Sequence, residues 1–268
     1  MLQVTDAWFG YDEQRPVLKG VSVAVAPTGI VGILGPNGSG KTTLLRVLAG
    51  TRQPQRGAVT LDGSPLALTS RPVLARRLAV VPQETQLAFD YTAGEVAMMG
   101  RYPHLGPFEI EGPRDMAAVD EALAATGTRA LKDRLFASLS GGEKQRVVIA
   151  AALAQIESSA DSRYLLLDEP TASLDLAYQL EIGLLLRRLH DEGRAGIVIS
   201  THDIGLAGTL CDTLVLLRDG EVAAAGATDD VLTTANLLAV YGVEAEISRH
   251  PSGQRVVVPI RRSGEARP

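Results

Sequence analysis

A glycine-rich loop followed by a lysine and two threonines is the feature that most constrains the fold of this chain. Residues 35–42 read GPNGSGKT and match the pattern G-x-x-x-x-G-K-[ST]. The apolar run GIVGILG at 29–35 predicts a buried strand before the loop, and a helix is predicted from Lys41 to about Ala49. A strand, a glycine loop and a helix in this order are typical of a nucleoside triphosphate site. A plain glycine-rich turn is the alternative interpretation.

The residues of this loop have predicted roles in nucleotide binding. Backbone N–H groups of the glycines and the start of the helix face a polyanion, because both carry partial positive charge. Lys41 is predicted to reach the β- and γ-phosphates, and the Thr42 hydroxyl to ligate Mg²⁺. The full set of predicted ATP contacts in the loop is Gly35, Pro36, Asn37, Gly38, Ser39, Gly40, Lys41, Thr42 and Thr43.

Strand-like and helix-like segments alternate along most of the chain, which predicts an α/β fold with a mainly parallel sheet. Between about residues 86 and 160 the predicted elements are all helical, so we expect an inserted helical subdomain there. The predicted organisation is one domain over 1–240, with a core at 1–85 and 161–240, and a tail at 241–268. The last residues of the tail, RRSGEARP, are expected to be loose.

Composition excludes several classes of protein. The net charge of −5 and the absence of a dense Lys/Arg block argue against a nucleic-acid partner. The single cysteine, Cys211, excludes an intrachain disulfide. The start lacks the features of a secretory signal, and the longest apolar stretch, VVIAAALA at 147–154, is too short to span a membrane. We expect a cytoplasmic chain that can dock on a membrane protein.

The segment YLLLDEP at 164–170 supplies the expected carboxylates. Four apolar residues that end in Asp168 predict a buried strand, and ligands of open α/β sheets lie at the carboxyl ends of the strands. Asp168 is predicted to hold Mg²⁺, and Glu169 to polarise the attacking water as the catalytic base. A solvated acidic turn is the alternative for this pair.

The segment LSGGE at 139–143 predicts a second helix start that can bind an anion, with a serine hydroxyl and two glycine amides. One phosphate loop has no evident use for two such sites in the same chain, so the second is expected to serve the nucleotide of another copy. The segment resembles the LSGGQ signature of the ABC ATPase family, with Glu143 in place of glutamine. The predicted signature residues are Leu139, Ser140, Gly141, Gly142 and Glu143.

The resemblance covers about residues 2 to 240. It implies a P-loop NTPase (RecA-like) core with a mainly parallel sheet, an N-terminal antiparallel β part and an inserted α-helical subdomain. It also implies further site residues. Tyr11 lies where the family has an aromatic ring that stacks on adenine, although a surface tyrosine is the alternative. Gln83 matches the Q-loop glutamine that contacts Mg²⁺ or water, and His202 matches the switch histidine near the γ-phosphate. The D-loop, which lies across the dimer interface in the family, is matched by Ser173, Leu174 and Asp175.

The family mechanism implies a head-to-tail dimer of two copies with two ATP molecules and Mg²⁺. It also implies two transmembrane permease subunits and, indirectly, an extracellular or periplasmic substrate-binding protein, so the chain is expected to be peripheral on the cytoplasmic face of the membrane. The absence of the GTPase motif [NT]-K-x-D argues against a GTPase, and the signature motif has no place in a kinase. A soluble ABC ATPase that is not coupled to transport remains an alternative.

The transported substrate is suggested by the segment EVAMMGRYPHLGPF at 95–108. It resembles the matching segment of ATPases that drive uptake of metal chelates, that is, ferric siderophores, heme and cobalamin, and it is expected to face the permease. A Pro/Gly-rich loop without that role is the alternative interpretation. We expect an iron complex, siderophore or heme, with cobalamin as the alternative substrate.

Overall fold

The computed structural model describes residues 1–12, 15–156, 162–172, 174–251 and 254–262. The chain divides into two compact units. Unit 1 comprises residues 1–67 and 198–268, and unit 2 comprises residues 68–197. Each unit is described below by itself.

Unit 1 begins with an antiparallel sheet. Its elements in the first part of the chain are β1 (Leu2–Phe9), β2 (Leu18–Val25), β3 (Ile30–Leu34), α1 (Lys41–Leu48), β4 (Arg56–Leu61) and β5 (Ser64–Pro65). Strands β2, β1, β4 and β5 are neighbours in that order, and all three pairings are antiparallel. The apolar residues Leu2, Val4, Ala7 and Phe9 of β1 are buried, so this sheet packs one face on the core.

Strand β3 belongs to a second sheet, and it positions the phosphate loop. All five residues of β3 are buried, as expected for a strand that is covered on both faces. It pairs in parallel with a later strand, β9 (Thr213–Arg218), which in turn pairs antiparallel with β10 (Glu221–Ala227). On the other side β3 neighbours β8 (Gly196–Thr201), whose last four residues lie in unit 1.

Unit 2 is mainly helical. Its elements are α2 (Arg71–Ala75), β6 (Leu78–Val81), α3 (Ala93–Met98), α4 (Pro113–Ala125), α5 (Gly141–Gln155), β7 (Tyr164–Asp168) and α6 (Leu176–Asp191), with short 3-10 turns at Met99–His104, Arg129–Leu131 and Phe136–Ser138. Strands β6 and β7 pair in parallel, and α5 packs against α3 and α4. The buried cluster between α3 and α5 is formed by Ala93, Val96, Phe136, Leu139 and Val147.

These elements confirm the predicted fold class, a mainly parallel α/β sheet with an antiparallel N-terminal part and a helical insertion. Among the described residues between β6 and β7, every regular element is helical. The bounds predicted for the domain, its core and its tail stay a prediction.

The C-terminal part of unit 1 holds α7 (Ile204–Leu210), α8 (Thr228–Val231), α9 (Thr234–Tyr241) and a hairpin of β11 (Val243–Arg249) and β12 (Arg255–Arg262). Arg249 and Arg255 both form ion pairs with Asp229 in α8, and these pairs hold the hairpin against that helix. This hairpin was not predicted from the sequence, and residues 263–268 lie outside the described part of the chain. Among the helices that are described, none is both long and apolar enough to cross a membrane.

Candidate functional site

The phosphate loop of unit 1 turns tightly between β3 and α1. A Cβ on Gly35 would lie 2.3 Å from the carbonyl oxygen of Leu217 and 2.6 Å from Ser39 Oγ, so only glycine fits there. Gly40, which precedes the first residue of α1, has φ of 106°, a conformation that L-residues rarely adopt. The glycines of the motif are therefore required by the local backbone.

The polar groups of the loop fit an anionic ligand. Lys41 is only 6% exposed, and its Nζ donates to the carbonyl oxygens of Gly35 at 2.9 Å and Pro36 at 3.2 Å. The Ser39 hydroxyl is buried and has no hydrogen-bond partner among the described residues. The first turn of α1 contains no acidic residue, so nothing there neutralises the positive end of the helix. A buried ammonium, a free hydroxyl and a helix start together suit a phosphate group.

Tyr11 is held beside the phosphate loop by its hydroxyl group. The Tyr11 hydroxyl oxygen lies 3.4 Å from Thr43 Oγ1 and accepts a hydrogen bond of 3.0 Å from Arg46. Hydrogen bonding to Thr43, together with the positive charge of Arg46 and Arg52, lowers the pKa of the Tyr11 hydroxyl from its usual value. Tyr11 is 57% exposed, and its ring meets Phe9 edge-on with the centroids 5.1 Å apart. The Arg52 guanidinium lies over the ring, 5.9 Å from its centroid, so the ring is fixed in place while more than half of the residue stays exposed.

His202 follows β8 at the start of a capped helix in the same unit. Thr201 Oγ1 accepts a hydrogen bond from the N–H of Asp203 at 3.0 Å, and Asp203 Oδ1 accepts one from the N–H of Leu206 at 2.9 Å. These two bonds fix the backbone on either side of the exposed His202.

In unit 2 the predicted Gln83, Asp168 and Glu169 lie at one edge of a parallel strand pair. Strands β6 and β7 are in register from Leu78–Tyr164 to Val81–Leu167, so Gln83 and Glu169 both follow the carboxyl ends of neighbouring strands. Glu169 has φ of 47°, the left-handed region that costs a residue with a side chain about 1–3 kcal/mol. Such strain is common where a functional side chain must be aimed in one direction.

The signature residues form the capped start of α5. Ser140 Oγ accepts a hydrogen bond from the N–H of Glu143 at 3.3 Å, and Glu143 Oε2 accepts one from the N–H of Ser140 at 2.8 Å. The bond from the Ser140 backbone lowers the pKa of the Glu143 carboxyl. Glutamate and glutamine serve equally as the distal member of such a capping box. Glu143 in place of glutamine therefore preserves the local structure.

The D-loop residues adjoin this helix start. Asp175 Oδ1 accepts a hydrogen bond of 3.1 Å from the N–H of Tyr178 and caps α6. A Cβ on Gly141 would lie 3.2 Å from Leu174 Cδ2, so the D-loop leucine packs on the signature glycine. The remaining predicted D-loop residue, Ser173, lies outside the described residues.

Two tyrosines that the sequence reasoning did not single out contact these motifs. In unit 1, burial raises the pKa of the Tyr241 hydroxyl to about 12, and the nearby backbone of Gly35 opposes this rise. Among the described residues that hydroxyl has no hydrogen-bond partner, and it lies close to the backbone of Gly35. In unit 2, Tyr178 packs on Gly142. Both tyrosines are distant in sequence from the motif they touch, and no local pattern points to them.

Unit 1 thus brings Tyr11 and Tyr241 to the phosphate loop. Unit 2 brings the signature next to the D-loop, and it brings Gln83 to the same sheet edge as Asp168 and Glu169.

Comparison with known proteins identifies the family. The family profile described as "ABC transporter" matches residues 18–172. The chain belongs to the ABC transporter family. It is an ATP-hydrolysing subunit with the nucleotide-binding domain of that family, as the motifs predicted.

Curated relatives of this ABC ATPase match most of its length. The hemin import ATP-binding protein HmuV of Bordetella pertussis is 43% identical over 240 residues, which cover 88% of this chain and 90% of the relative. The cobalamin import ATP-binding protein BtuD of Halobacterium salinarum is 39% identical over 242 residues, which cover 90% of this chain and 59% of the relative. The predicted resemblance to ATPases of metal-chelate importers is confirmed.

Solved structures of ABC proteins share the fold. An inward-facing metal-chelate type ABC transporter matches with a TM-score of 0.84 and 27% identity, over 97% of each chain. A dimeric ATP-binding cassette bound to ADP and Pi matches with a TM-score of 0.71 and 27% identity, over 85% of this chain and 99% of that one. ABC ATPases related to this chain therefore form dimers and bind nucleotide.

Proposed function

We propose that this ABC ATPase energises the import of an iron chelate, heme or a ferric siderophore, through a separate transmembrane permease. The similarity to a hemin import ATPase along 88% of this chain and 90% of the relative carries the proposal. The structural likeness to a metal-chelate type transporter over 97% of each chain supports it. Cobalamin is the second candidate substrate, because a cobalamin import ATPase is 39% identical.

The proposed ATP contacts begin with the phosphate loop of unit 1. The glycine backbone and Lys41 bind the phosphates, and the free Ser39 hydroxyl donates a further hydrogen bond to them. To reach the phosphates, the Lys41 ammonium exchanges its bonds to loop carbonyl oxygens for phosphate oxygens. Tyr11 presents its ring to adenine and His202 is directed to the γ-phosphate, as the family resemblance implies.

Mg²⁺ suits the oxygen donors of the other predicted residues, the Thr42 hydroxyl, the Gln83 amide and the Asp168 carboxylate. When bound, the ion neutralises charge on the phosphates. Glu169 then orients and polarises the attacking water, and its strained backbone aims the carboxylate at one position.

We propose that two copies of the chain associate head to tail, with Ser140–Gly142 of one copy against the nucleotide of the other. The related dimeric cassette supports a dimer. In the first turn of α5 the N–H groups of Gly141 and Gly142 have no acceptor within the helix, so they are available to a phosphate of the partner's ATP. Leu139 is buried and anchors the motif, while Ser173, Leu174 and Asp175 lie across the interface in this proposal.

The permease is proposed to dock on unit 2. The segment 95–108 and the residues after it expose the apolar side chains of Tyr102, Phe108 and Ile110. A hollow of about 430 Å³ beside Phe89 and Lys144, lined by both polar and apolar residues, offers a second surface on this unit. Two permease subunits would hold the ATPases on the cytoplasmic face of the membrane, and a substrate-binding protein outside would deliver the chelate. Because the chain has a net charge of −5, we propose no nucleic-acid partner.

The experiment is uptake of labelled heme, ferric siderophore and cobalamin in cells with and without the gene. Loss of one uptake, restored by the wild-type gene and not by Lys41→Ala, identifies the substrate and shows that it depends on ATP. If all three uptakes persist without the gene, the import proposal is wrong and a soluble ABC ATPase becomes the better interpretation.

A further inference from the structure

The signature helix α5 and the helix α6 that follows the D-loop touch through an aromatic ring. A Cβ on Gly142 would lie 2.2 Å from Tyr178 Cδ1, 2.4 Å from Cγ and 2.9 Å from Cβ. These distances are shorter than any ordinary contact of carbon atoms, so the Tyr178 ring lies directly on the backbone of Gly142. The glycine at this position is required by packing within its own chain.

Further contacts on both sides of Tyr178 join the start of α5 to the start of α6 and the residues before it. Towards the start of α5, Leu174 packs on Gly141. One turn further into both helices, Arg146 and Glu181 form an ion pair of 3.4 Å. The three contacts succeed one another along α5 and along the chain from Leu174 into α6, so they fix the direction of one helix start relative to the other. The Asp175 cap, which receives the Tyr178 N–H, fixes the ring at the first turn of α6.

We propose that Tyr178 is a positioning residue for ATP hydrolysis: its ring holds the signature helix start against the D-loop helix, so that both reach the partner's nucleotide as one rigid piece. The inference rests on the proposed head-to-tail dimer and adds to it a residue that no motif contains. The ring acts through its carbon atoms, since Cβ, Cγ and Cδ1 are the side-chain atoms nearest to the Gly142 position.

The physical reason is the need for accuracy at the helix start. The N–H groups of Gly141 and Gly142 can stabilise a phosphate only within hydrogen-bonding distance. A misplacement of about 1 Å in a catalytic arrangement can cost about 100-fold in rate. Without the ring, Gly142 loses the surface that fixes it, and the helix start can shift while its capping box stays intact.

The test compares Tyr178→Ala with the conservative Tyr178→Phe, each in the full chain. Steady-state ATP hydrolysis gives kcat and KM, and a fluorescent ATP analogue measures binding to a single chain. We expect Tyr178→Ala to lower kcat by about 10- to 100-fold, with less than about threefold change in nucleotide affinity, because the phosphate loop is untouched. Tyr178→Phe should retain kcat within about twofold of wild type, because it keeps the contacting ring.

A second measurement separates this inference from the proposed function. In the Glu169→Gln background, ATP-dependent dimerisation is measured with and without the additional Tyr178→Ala substitution, next to thermal unfolding of each chain. The positioning role is supported if Tyr178→Ala weakens dimerisation without changing the unfolding midpoint, and if Tyr178→Phe dimerises as well as the chain that carries Tyr178. Equal kcat and equal dimerisation in Tyr178→Ala overturn it. If Glu169→Gln itself never dimerises with ATP, the head-to-tail proposal fails instead.

Discussion

The ion pair between Arg101 and Asp115 in unit 2 is buried, so the free energy of unfolding should depend strongly on its charges. Arg101 Nε donates to Asp115 Oδ1 at 2.9 Å, and the two side chains are only 6% and 12% exposed. The same arginine donates to the Ala154 carbonyl oxygen at 2.6 Å, and Asp115 Oδ2 accepts the Gly112 N–H at 3.0 Å. The pair therefore joins the turn Met99–His104 to the start of α4 and the end of α5.

Asp115→Asn keeps the size of the side chain and removes its charge. The Arg101 guanidinium then loses the carboxylate charge that it pairs with. Arg101 and the Gly112 N–H donate to different oxygens of Asp115, and the new amide has an oxygen at only one of these two positions. Removing one member of a buried pair costs about 3–5 kcal/mol. Because asparagine retains one acceptor, we expect a loss of about 3 kcal/mol in the free energy of unfolding, the lower end of that range.

The loss should depend on pH. The Gly112 N–H, followed by Arg101, holds the pKa of the Asp115 carboxyl below its usual value in the folded chain. The corresponding stability is fully present above the unfolded pKa of about 3.9, and it disappears as the pH falls through the lower folded pKa. The difference between wild type and Asp115→Asn should therefore be largest near neutral pH and shrink as the pH falls below about 4.

Urea unfolding at several pH values measures the difference, and Asp120→Asn is the matched control. Asp120 lies on the same helix and pairs at 3.0 Å with Arg129, but the two side chains are 32% and 64% exposed. An exposed pair contributes less than about 1 kcal/mol, so the control should barely move the midpoint. Equal losses for the two variants, or a loss for Asp115→Asn that does not change with pH, would refute this reasoning.

Three further predictions concern the nucleotide site. Tyr11→Ala should raise the KM for ATP about fivefold at unchanged kcat, since ring stacking contributes about 1 kcal/mol. Tyr11→Phe keeps the ring and should change the KM less than about twofold. Equal effects of the two substitutions on KM would contradict stacking. Glu169→Gln should lower kcat at least about 100-fold in an ATPase assay while a fluorescent analogue still binds; unimpaired turnover would contradict its role as base. Gly35→Ala should lower the thermal unfolding midpoint and the affinity for nucleotide, because the new Cβ would meet the Leu217 carbonyl oxygen at 2.3 Å. The control Gly29→Ala should change neither, because its Cβ would meet only Ala26, at 3.6 Å.

The local motifs were predictable from sequence because each carries its own geometry. The order of strand, glycine loop and helix around Lys41 follows from short-range pattern alone, and α1 begins at Lys41 as predicted. The capping box at Ser140 and Glu143 also follows from a spacing of three residues. The C-terminal hairpin had a sequence signal that was not used, since the apolar run VVVPI follows the Pro-Ser-Gly sequence, and this run lies in β12, which pairs with β11.

Contacts between distant segments could not be predicted in this way. Nothing near Gly142 indicates that Tyr178 covers it, because the two residues meet only when α5 and α6 pack. The same holds for Tyr241, which reaches the phosphate loop from the last helix of unit 1. Periodicity predicts which face of a helix is buried, but it does not say which residue of another element will lie on it.

The measurement that tests the central claim most directly is sedimentation of Glu169→Gln with Mg²⁺ and ATP. We expect ATP to convert the 28.3 kDa chain into a species of twice that mass, because in the proposed head-to-tail dimer two phosphate loops and two signature motifs enclose the nucleotides. The double variant that also carries Lys41→Ala should remain at the mass of one chain. A Glu169→Gln chain that stays monomeric at saturating ATP, while the wild-type monomer hydrolyses ATP normally, would contradict the shared site.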